Sequence, residues 1–444
     1  MNKYKSFIFD TFDFDQKEGR IELKYCLDES VCFLETIELP GGMEYQPVSL
    51  TIADRAFFAL HLIGGISYYK TFCPPQMQVQ SGLLNADHAA FWNRVYRKGL
   101  AEFCFQNGID PSSLASFPSS KVTPLLSIER PKETGSILVP IGGGKDSIVT
   151  IELLKKAGKD ITLLRMNEHP LITELIETTG LSSITLERTL SQRLLELNEK
   201  GALNGHVPIT AYISCLSVVS ALLYGFETIV MSNERSANEG NIENGGKQVN
   251  HQWSKSWEFE KLFGEYIQAF IANDLRYFSL LRPLSELAIT KYFSTLPEYF
   301  TKVTSCNRNW KIMKDNLNER WCCECPKCAF SFCMYSAFLP HKTLIEIFGK
   351  NLFEDTTLRI LYRELLGLEG MKPFDCVGTA EEVQAAFILA HKRGDLDSTP
   401  VMQMFLKDVL PTIKDPDKVV ADALEPGSEH AIPEEFLTAI HETQ

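Results

Sequence analysis

The run Ser136-Ile137-Leu138-Val139-Pro140-Ile141-Gly142-Gly143-Gly144-Lys145-Asp146-Ser147 carries the clearest chemistry in this chain. An apolar stretch enters three glycines, then Lys-Asp-Ser, and a helical pattern starts at once. Glycines let backbone N–H groups close on an anion, and the following helix points its positive end at the same place. Polyphosphate binding is the chemistry this order serves. Gly142, Gly143 and Gly144 supply N–H groups, Lys145 neutralises charge and Ser147 donates from its hydroxyl. Asp146 beside a polyphosphate is repelled unless a cation lies between them, so Mg²⁺ is implied. The loop in which Gly-Lys is followed directly by Ser or Thr is excluded, because Asp146 intervenes. A strand–helix turn that binds nothing accounts for the glycines but not for Lys-Asp-Ser in these places.

A second candidate centre is thiol-rich. Cys306 is followed after fifteen residues by Cys322, then Cys325 and Cys328, with Cys323 as a spare. Four thiolates at such spacing predict a closed tetrahedral site, a structural Zn²⁺ with no open position. An iron–sulfur cluster is the alternative, although Cys333-Met334 does not continue a ferredoxin run. Polar candidates lie elsewhere. Met231 empties into Ser232-Asn233-Glu234-Arg235-Ser236-Ala237-Asn238-Glu239-Gly240-Asn241, and after Gly245-Gly246 comes Asn250-His251-Gln252-Trp253-Ser254-Lys255-Ser256. Long polar loops at strand ends are usually functional. Asn233, Arg235, Asn238, His251 and Lys255 together suit an anionic, hydrogen-bonding substrate. Arg165 and Asn167, in Leu163-Leu164-Arg165-Met166-Asn167-Glu168-His169, are candidate nucleotide contacts or an ordinary strand end. His206-Val207-Pro208-Ile209-Thr210 reads as a helix start.

Elements must bring these residues together. Short apolar strands at 136–140, 160–165, 183–187 and 227–231 alternate with helices at 146–157, 170–179 and 209–224. Such alternation predicts a doubly wound parallel sheet, with ligands at the carboxyl ends of its strands. That puts the loops after Val139, Leu164 and Met231 where chemistry belongs. Ahead of this segment lie strand-like runs at 21–25 and 32–37 and helical patterns at 52–65 and 86–105. Pro111, Pro118, Pro124 and Pro131 then suggest a linker. Behind it the chain reads as helical, broken at Pro373, Pro400, Pro411 and Pro426. Three units are expected: an N-terminal α+β domain (1–132), an α/β domain with the cysteine site (133–345) and a helical C-terminal region (346–444).

At 444 residues the chain exceeds one typical domain. With 44 % apolar and 23 % charged residues it has the profile of a globular protein with a full core. A net charge of −13 argues against non-specific nucleic-acid binding, which needs a basic surface. No apolar run is long enough for a signal peptide or a bilayer span. No membrane and no nucleic-acid partner are expected, and a cytoplasmic location is. In such a reducing compartment the scattered Cys26, Cys32, Cys73, Cys104, Cys215, Cys333 and Cys376 are expected as thiols.

The order Gly-Gly-x-Asp-Ser resembles the pyrophosphate loop of ATPases that cleave ATP between the α- and β-phosphates, enzymes of the adenine-nucleotide alpha-hydrolase fold. One departure is Gly142, where those loops usually begin with Ser. Thr304-Ser305-Cys306, the Cys322/Cys325/Cys328 run and the Val207-Pro208 helix start are similar to the synthase that makes the nitrile of 7-cyano-7-deazaguanine. A longer set resembles the bacterial UDP-N-acetyl-α-D-muramoyl-L-alanyl-L-glutamate epimerases. It comprises the glycine loop, the 232–241 run and His61-Leu62-Ile63-Gly64-Gly65-Ile66-Ser67-Tyr68-Tyr69-Lys70. This resemblance implies ATP- and Mg²⁺-dependent conversion of the terminal L-Glu of the UDP-linked muramoyl dipeptide to D-Glu, with AMP and pyrophosphate released. It implies roles too. Gly142 to Ser147 hold the leaving pyrophosphate with Asp146 on Mg²⁺, and Arg165 helps hold the nucleotide. Asn233, Arg235, Asn238 and Lys255 bind substrate. His251 or Glu234 transfers the proton; Cys376 is a rival that reads better as a buried core thiol. The competing reading is an ATP-dependent adenylating enzyme that modifies a nucleobase or tRNA.

Overall fold

The computed structural model describes residues 3–41, 45, 50–121, 135–244, 247–310 and 319–441. Pro124, Pro131, the expected boundary at 132/133, Gly245 and Gly246 lie outside them. The strands are β1 (Ser6–Asp15), β2 (Arg20–Leu27), β3 (Val31–Glu38), β4 (Gln76–Val79), β5 (Ile137–Pro140), β6 (Ile161–Met166), β7 (Ser183–Thr189), β8 (Thr228–Met231), β9 (Ile242–Asn244), β10 (Lys247–Val249) and β11 (Arg276–Ser279). Among the described residues nine of them form one mixed sheet in the order β11-β8-β5-β6-β7-β3-β2-β1-β4, while β9 and β10 form a separate hairpin. From β11 to β7 all neighbours are parallel. Numbered among themselves, those five strands run 3-2-1-4-5, the doubly wound order, with its switch point between β5 and β8.

Period-two alternation explains why this half is covered on both faces. Successive side chains of a strand point to opposite sides. Ile137, Val139, Leu163, Val230 and Phe278 enter one core, with the helices Lys145–Lys156, Glu286–Phe293, Pro326–Ser336 and Ala380–Arg393. Leu138, Leu164, Ile229, Met231 and Tyr277 enter the other, with Leu50–Gly64, Ala86–Gly99, Ile209–Tyr224 and Trp257–Phe270. Helix Ile209–Tyr224 is apolar nearly all round and buried along almost its whole length, as a helix between a sheet and a second helical layer must be. The α/β expectation holds, and the strands and helices predicted between 136 and 231 are found within two residues at every end.

The N-terminal strands continue the same sheet. β3 pairs antiparallel with β7, and β2 and β1 follow antiparallel. A buried polar cluster locks that seam. Arg188 on β7 donates to Glu35 on β3 at 2.9 and 3.1 Å, and Tyr68 and Tyr212 donate to the same carboxylate at 2.9 and 2.7 Å. Glu35 is fully buried, so each oxygen needs these partners. The sequence reading missed β1. Its outer half alternates Phe12 and Phe14 with exposed aspartates, and a register shift between Phe9 and Thr11 breaks the pattern. One expectation is corrected here: Cys26 and Cys32 form a disulfide rather than remaining thiols. The β2–β3 hairpin sets them directly opposite each other, a pairing that spacing alone does not reveal. None of the described helices is long and apolar enough to cross a membrane.

Candidate active site

The glycine loop leaves the carboxyl end of β5 beside the switch point. Gly143 has φ +83°, and a Cβ built there would stand 2.9 Å from the Trp310 ring, so neither the backbone nor the space admits a side chain. Gly144 caps the helix Lys145–Lys156, leaving first-turn N–H groups toward the loop. Ser147 donates to Gly144 O at 3.0 Å. Lys145 is buried and pairs with both Asp146 and Glu286. Glu286 also accepts from Lys327 at 3.4 Å, and although burial opposes its charge, Lys145 and Lys327 hold its carboxyl down at about 2. Glu382 knits this region together. It accepts from Ser236 Oγ at 2.6 Å, from the Glu286 N–H at 2.8 Å and, at the start of its own helix, from the Thr379 N–H at 2.7 Å.

The segment carrying Cys306 roofs the loop. The Thr304 N–H donates to Gly143 O at 3.0 Å, and Trp310 packs on His169 with ring centroids 4.7 Å apart. The sulfurs of Cys306, Cys322, Cys325 and Cys328 all lie within 4.8 Å of one another, with separations of 4.0, 3.7 and 3.4 Å along 306–325, 322–328 and 325–328. A tetrahedron of Zn–S bonds near 2.3 Å has edges of about 3.8 Å, so these four residues fit such an ion. Cys323 does not belong to the set. Its φ is +57° and its thiol turns away to the carbonyls of Trp321 and Phe348.

On the other side of β8 the polar loop is strapped into place. Arg282, 1 % exposed, donates to Glu260 at 2.8 and 3.0 Å, to Glu234 O at 2.6 Å and to Lys255 O at 2.6 Å. One guanidinium therefore fixes the backbone beneath two of the predicted site residues. Lys255 Nζ reaches Cys376 Sγ at 3.6 Å. His251, the next group on that thiol, is also hydrogen-bonded through Nδ1 to Glu102. His206 stands beside it, ring centroids 4.4 Å apart and its Nδ1 3.5 Å from the same carboxylate. Burial opposes charge on His251, but Cys376 and Glu102 outweigh it and push the imidazole up to about 9. Burial and the charge of His251 hold His206 near about 3, neutral. Burial would raise the Cys376 thiol; Lys255 and His251 instead bring it down to about 7. Burial raises the Glu234 carboxyl, with Lys255 pulling the other way.

Cys376, which its sequence context suggested as a buried core thiol, is part-buried beside Lys255. Its loop is clamped from several elements: Asn241 donates to Pro373 O at 2.6 Å, Gln252 to Val377 O at 3.4 Å, Lys327 to Cys376 O, and Asn307 to Asp375. Other predicted residues are placed differently. Arg165 spends its guanidinium on Thr185 at 2.7 Å, Thr173 at 2.5 Å and Glu168 at 3.2 Å. Asn167 bridges β6 to β7 through Arg188 N and O. Asn233 donates to Ser279 Oγ at 3.1 Å and Asn238 accepts from the Trp257 N–H at 2.7 Å. Arg235 donates to Glu425 O at 2.7 Å, toward the C-terminal helices. Sequence reasoning missed Glu102, Arg282, Glu286, Lys327, Glu382 and Lys372, whose buried Nζ finds no hydrogen-bond partner among the described residues. A cleft of about 1010 Å³ is lined by Arg97, Lys98, Phe105, Asn238, Asn250 and Trp257.

The chain matches the MurL N-terminal domain over residues 1–280 and the MurL C-terminal domain over residues 302–419. It is 40 % identical over 424 residues to the UDP-N-acetyl-alpha-D-muramoyl-L-alanyl-L-glutamate epimerase of Xanthomonas oryzae pv. oryzae, covering 94 % of this chain and 93 % of that one. It is 36 % identical to the epimerase of the same name from a Micromonospora strain, over 99 % of this chain and 98 % of that one. For the one from Salinispora tropica the identity is 35 %, over 99 % and 96 %. With glycine loop, thiolate cluster and polar loop all lying inside the matched length, this chain belongs to the UDP-N-acetyl-α-D-muramoyl-L-alanyl-L-glutamate epimerase family and is an epimerase.

Proposed function

We propose that this protein converts the terminal L-Glu of UDP-MurNAc-L-Ala-L-Glu to D-Glu in peptidoglycan precursor synthesis, using ATP and Mg²⁺ to adenylate the α-carboxylate. The observation that carries the ATP part is the glycine loop at the switch point of a doubly wound sheet, with Gly143 at φ +83° and a helix N-terminus behind it. Chemistry supplies the reason. An α-proton beside a free carboxylate is a very poor acid, since its carbanion would adjoin an existing negative charge. The glutamyl nitrogen is already in a peptide bond, so a Schiff base to a pyridoxal cofactor is closed. Capping the carboxylate with AMP removes its charge and makes the α-proton far more acidic.

In this reading Gly142 to Ser147 hold the departing pyrophosphate, Asp146 is the carboxylate for Mg²⁺, and Lys145 is kept charged by Glu286. Mg²⁺, when bound, offsets phosphate charge as the carboxylate oxygen attacks the α-phosphorus. The cleft lined by Trp257, Arg97 and Lys98 offers the volume and the side chains that the UDP-sugar needs. Zn²⁺ on Cys306, Cys322, Cys325 and Cys328 would be structural and would brace the roof over the loop. A cytoplasmic site of action accords with the location of nucleotide-linked precursors and ATP.

The test is incubation with ATP, Mg²⁺ and UDP-MurNAc-L-Ala-L-Glu, followed by hydrolysis and chiral analysis of glutamate, with nucleotide products resolved in parallel. D-Glu with AMP and pyrophosphate is expected. Recovery of L-Glu alone, or release of ADP and phosphate, would overturn the proposal.

A further inference from the structure

Epimerisation requires a base that meets the α-carbon, and the geometry favours one group. His251 is already engaged by Glu102 through Nδ1 and by Cys376, so it serves the thiol rather than standing free for the α-carbon. Glu234, itself part of the polar loop, is 2 % exposed. Cys376 differs from both. The residue is half-buried and forms no disulfide, and its sulfur lies between Lys255 Nζ at 3.6 Å and His251. Two cations beside a sulfur favour the thiolate, the reactive form. Cys376 is therefore one member of a constellation of Cys376, Lys255, His251 and Glu102 drawn from three distant stretches of chain. A separate observation points to a ligand here. Gln252, 3 % exposed, donates to Val377 O beside the cysteine and leaves its own Oε1 buried without a hydrogen-bond partner among the described residues. A buried amide oxygen in that state wants an N–H or O–H donor, and a peptide-linked substrate brings one. The cysteine backbone is also tied to the phosphate loop through two shared lysines: Cys376 O to Lys327, Lys327 to Glu286, Glu286 to Lys145.

We propose that Cys376 Sγ is the base that removes the α-proton of the adenylated glutamyl residue. This rests on the adenylation reading above. The sulfur lone pair forms the S–H bond, and the Cα–H electron pair moves onto the acyl oxygen as an enolate whose charge Lys255 faces. A solvent-derived proton then adds to the opposite face of Cα, the enolate pair re-forms the C–H bond, water cleaves the anhydride with AMP as the leaving group, and the Cys376 thiol returns its proton to solvent. No electrons are gained or lost overall.

The experiment follows solvent deuterium. In D₂O with ATP, Mg²⁺ and UDP-MurNAc-L-Ala-L-Glu, the native enzyme should place deuterium at Cα of the D-glutamyl product. Cys376→Ser and Cys376→Ala should lower that uptake by at least about 10²-fold, the usual worth of a positioned acid or base, while pyrophosphate release falls far less. Cys376→Asp, which restores an anionic base, should recover part of the uptake. Deuterium entry in Cys376→Ala within a few-fold of native would overturn the assignment. If the native enzyme itself releases no pyrophosphate, the adenylation reading fails, and the deuterium comparison still decides who moves the proton. A measurement on the unmodified protein guards against misfolding of the variants. Iodoacetamide should alkylate Cys376 ahead of Cys104, Cys215 and Cys333, and the dipeptide substrate should block it. Labelling that is neither early nor blocked would count against the proposal.

Discussion

Arg282 is where a single substitution tests the whole arrangement. Its guanidinium makes four hydrogen bonds inside the protein, two to the Glu260 carboxylate and one each to the carbonyls of Glu234 and Lys255. Both charged side chains are about 1 % exposed. Arg282→Met keeps much of the volume and removes every one of those bonds. Breaking a buried pair costs about 3–5 kcal/mol because it leaves a charge uncompensated. Among the described residues Glu260 then keeps the Ser279 N–H at 3.0 Å. Each orphaned carbonyl adds about 1–3 kcal/mol where water does not reach it. Contacts of one side chain are not additive, so a loss of about 5 kcal/mol is expected, read from chemical denaturation. Glu260→Leu alone should also destabilise. The double variant should be about 2 kcal/mol more stable than the sum of the two single losses predicts, since neither partner is then stranded. Epimerase turnover of Arg282→Met, assayed well below its unfolding temperature, should fall by about 10²-fold, because Lys255 loses the bond that sets its reach to Cys376. Additive losses, together with native turnover, would refute the claim that this guanidinium positions the site.

Three further outcomes are expected. The thiolate–imidazolium pair of Cys376 and His251 faces Lys255, Lys327, Lys372, Glu234 and Glu102, and kcat/KM should rise through about pH 7 and fall above about pH 9; Cys376→Ser should lose the lower limb. For stability the signs are opposite: the raised His251 contributes below its unfolded value near 6.5 and loses that as pH passes about 9, whereas the lowered Cys376 contributes above its unfolded value near 9 and loses that as pH falls through about 7. Elemental analysis should find one zinc per chain, and Cys325→Ser should abolish it and raise the KM for ATP, because the Thr304–Gly143 bond and the Trp310 contact depend on that segment. Gly143→Ala should cost about 1–2 kcal/mol in backbone strain alone and, with Trp310 2.9 Å from the new methyl group, should weaken ATP binding more than tenfold, measured by nucleotide titration.

What was legible in the sequence was local. Strand and helix periods between 136 and 231 needed only neighbours in the chain, and the spacing of the Cys-x₂-Cys-x₂-Cys run brings its three sulfurs together. Pairings across distance were not legible. Glu102 sits in a short amphipathic helix among Ala101, Phe103 and Cys104, and nothing in that context announces that it meets His251, 149 residues later. Cys376 reads as one more scattered thiol until Lys255, 121 residues earlier, is set against it. Arg165 is another case. A strand-end arginine in a doubly wound sheet invites a nucleotide, and here Thr173, Thr185 and Glu168 each accept from one of its nitrogens. Polarity at a strand end identifies a group that needs partners but not whether a ligand or the protein supplies them.

The division between the two matched family domains bears on how the site works. Lys145, Lys255, His251 and Glu102 come from residues 1–280, whereas Lys327, Cys376, Glu382 and the four clustered cysteines come from 302–419. Glu286, on the stretch between them, pairs with a lysine from each side. Glu286 thus joins Lys145 of the glycine loop to Lys327 of the C-terminal part, and the thiol, which has Lys327 from its own part nearby, gains Lys255 and His251 from the other. If adenylation belongs to the first part and proton transfer to the second, the shared glutamate couples them. An enolate formed at Cys376 would arise only where the acyl phosphate is made, and water that entered early would meet a loop already roofed by Trp310 and the cysteine segment. Confinement of that kind is what an enzyme needs when its activated intermediate hydrolyses readily and must first invert a carbon.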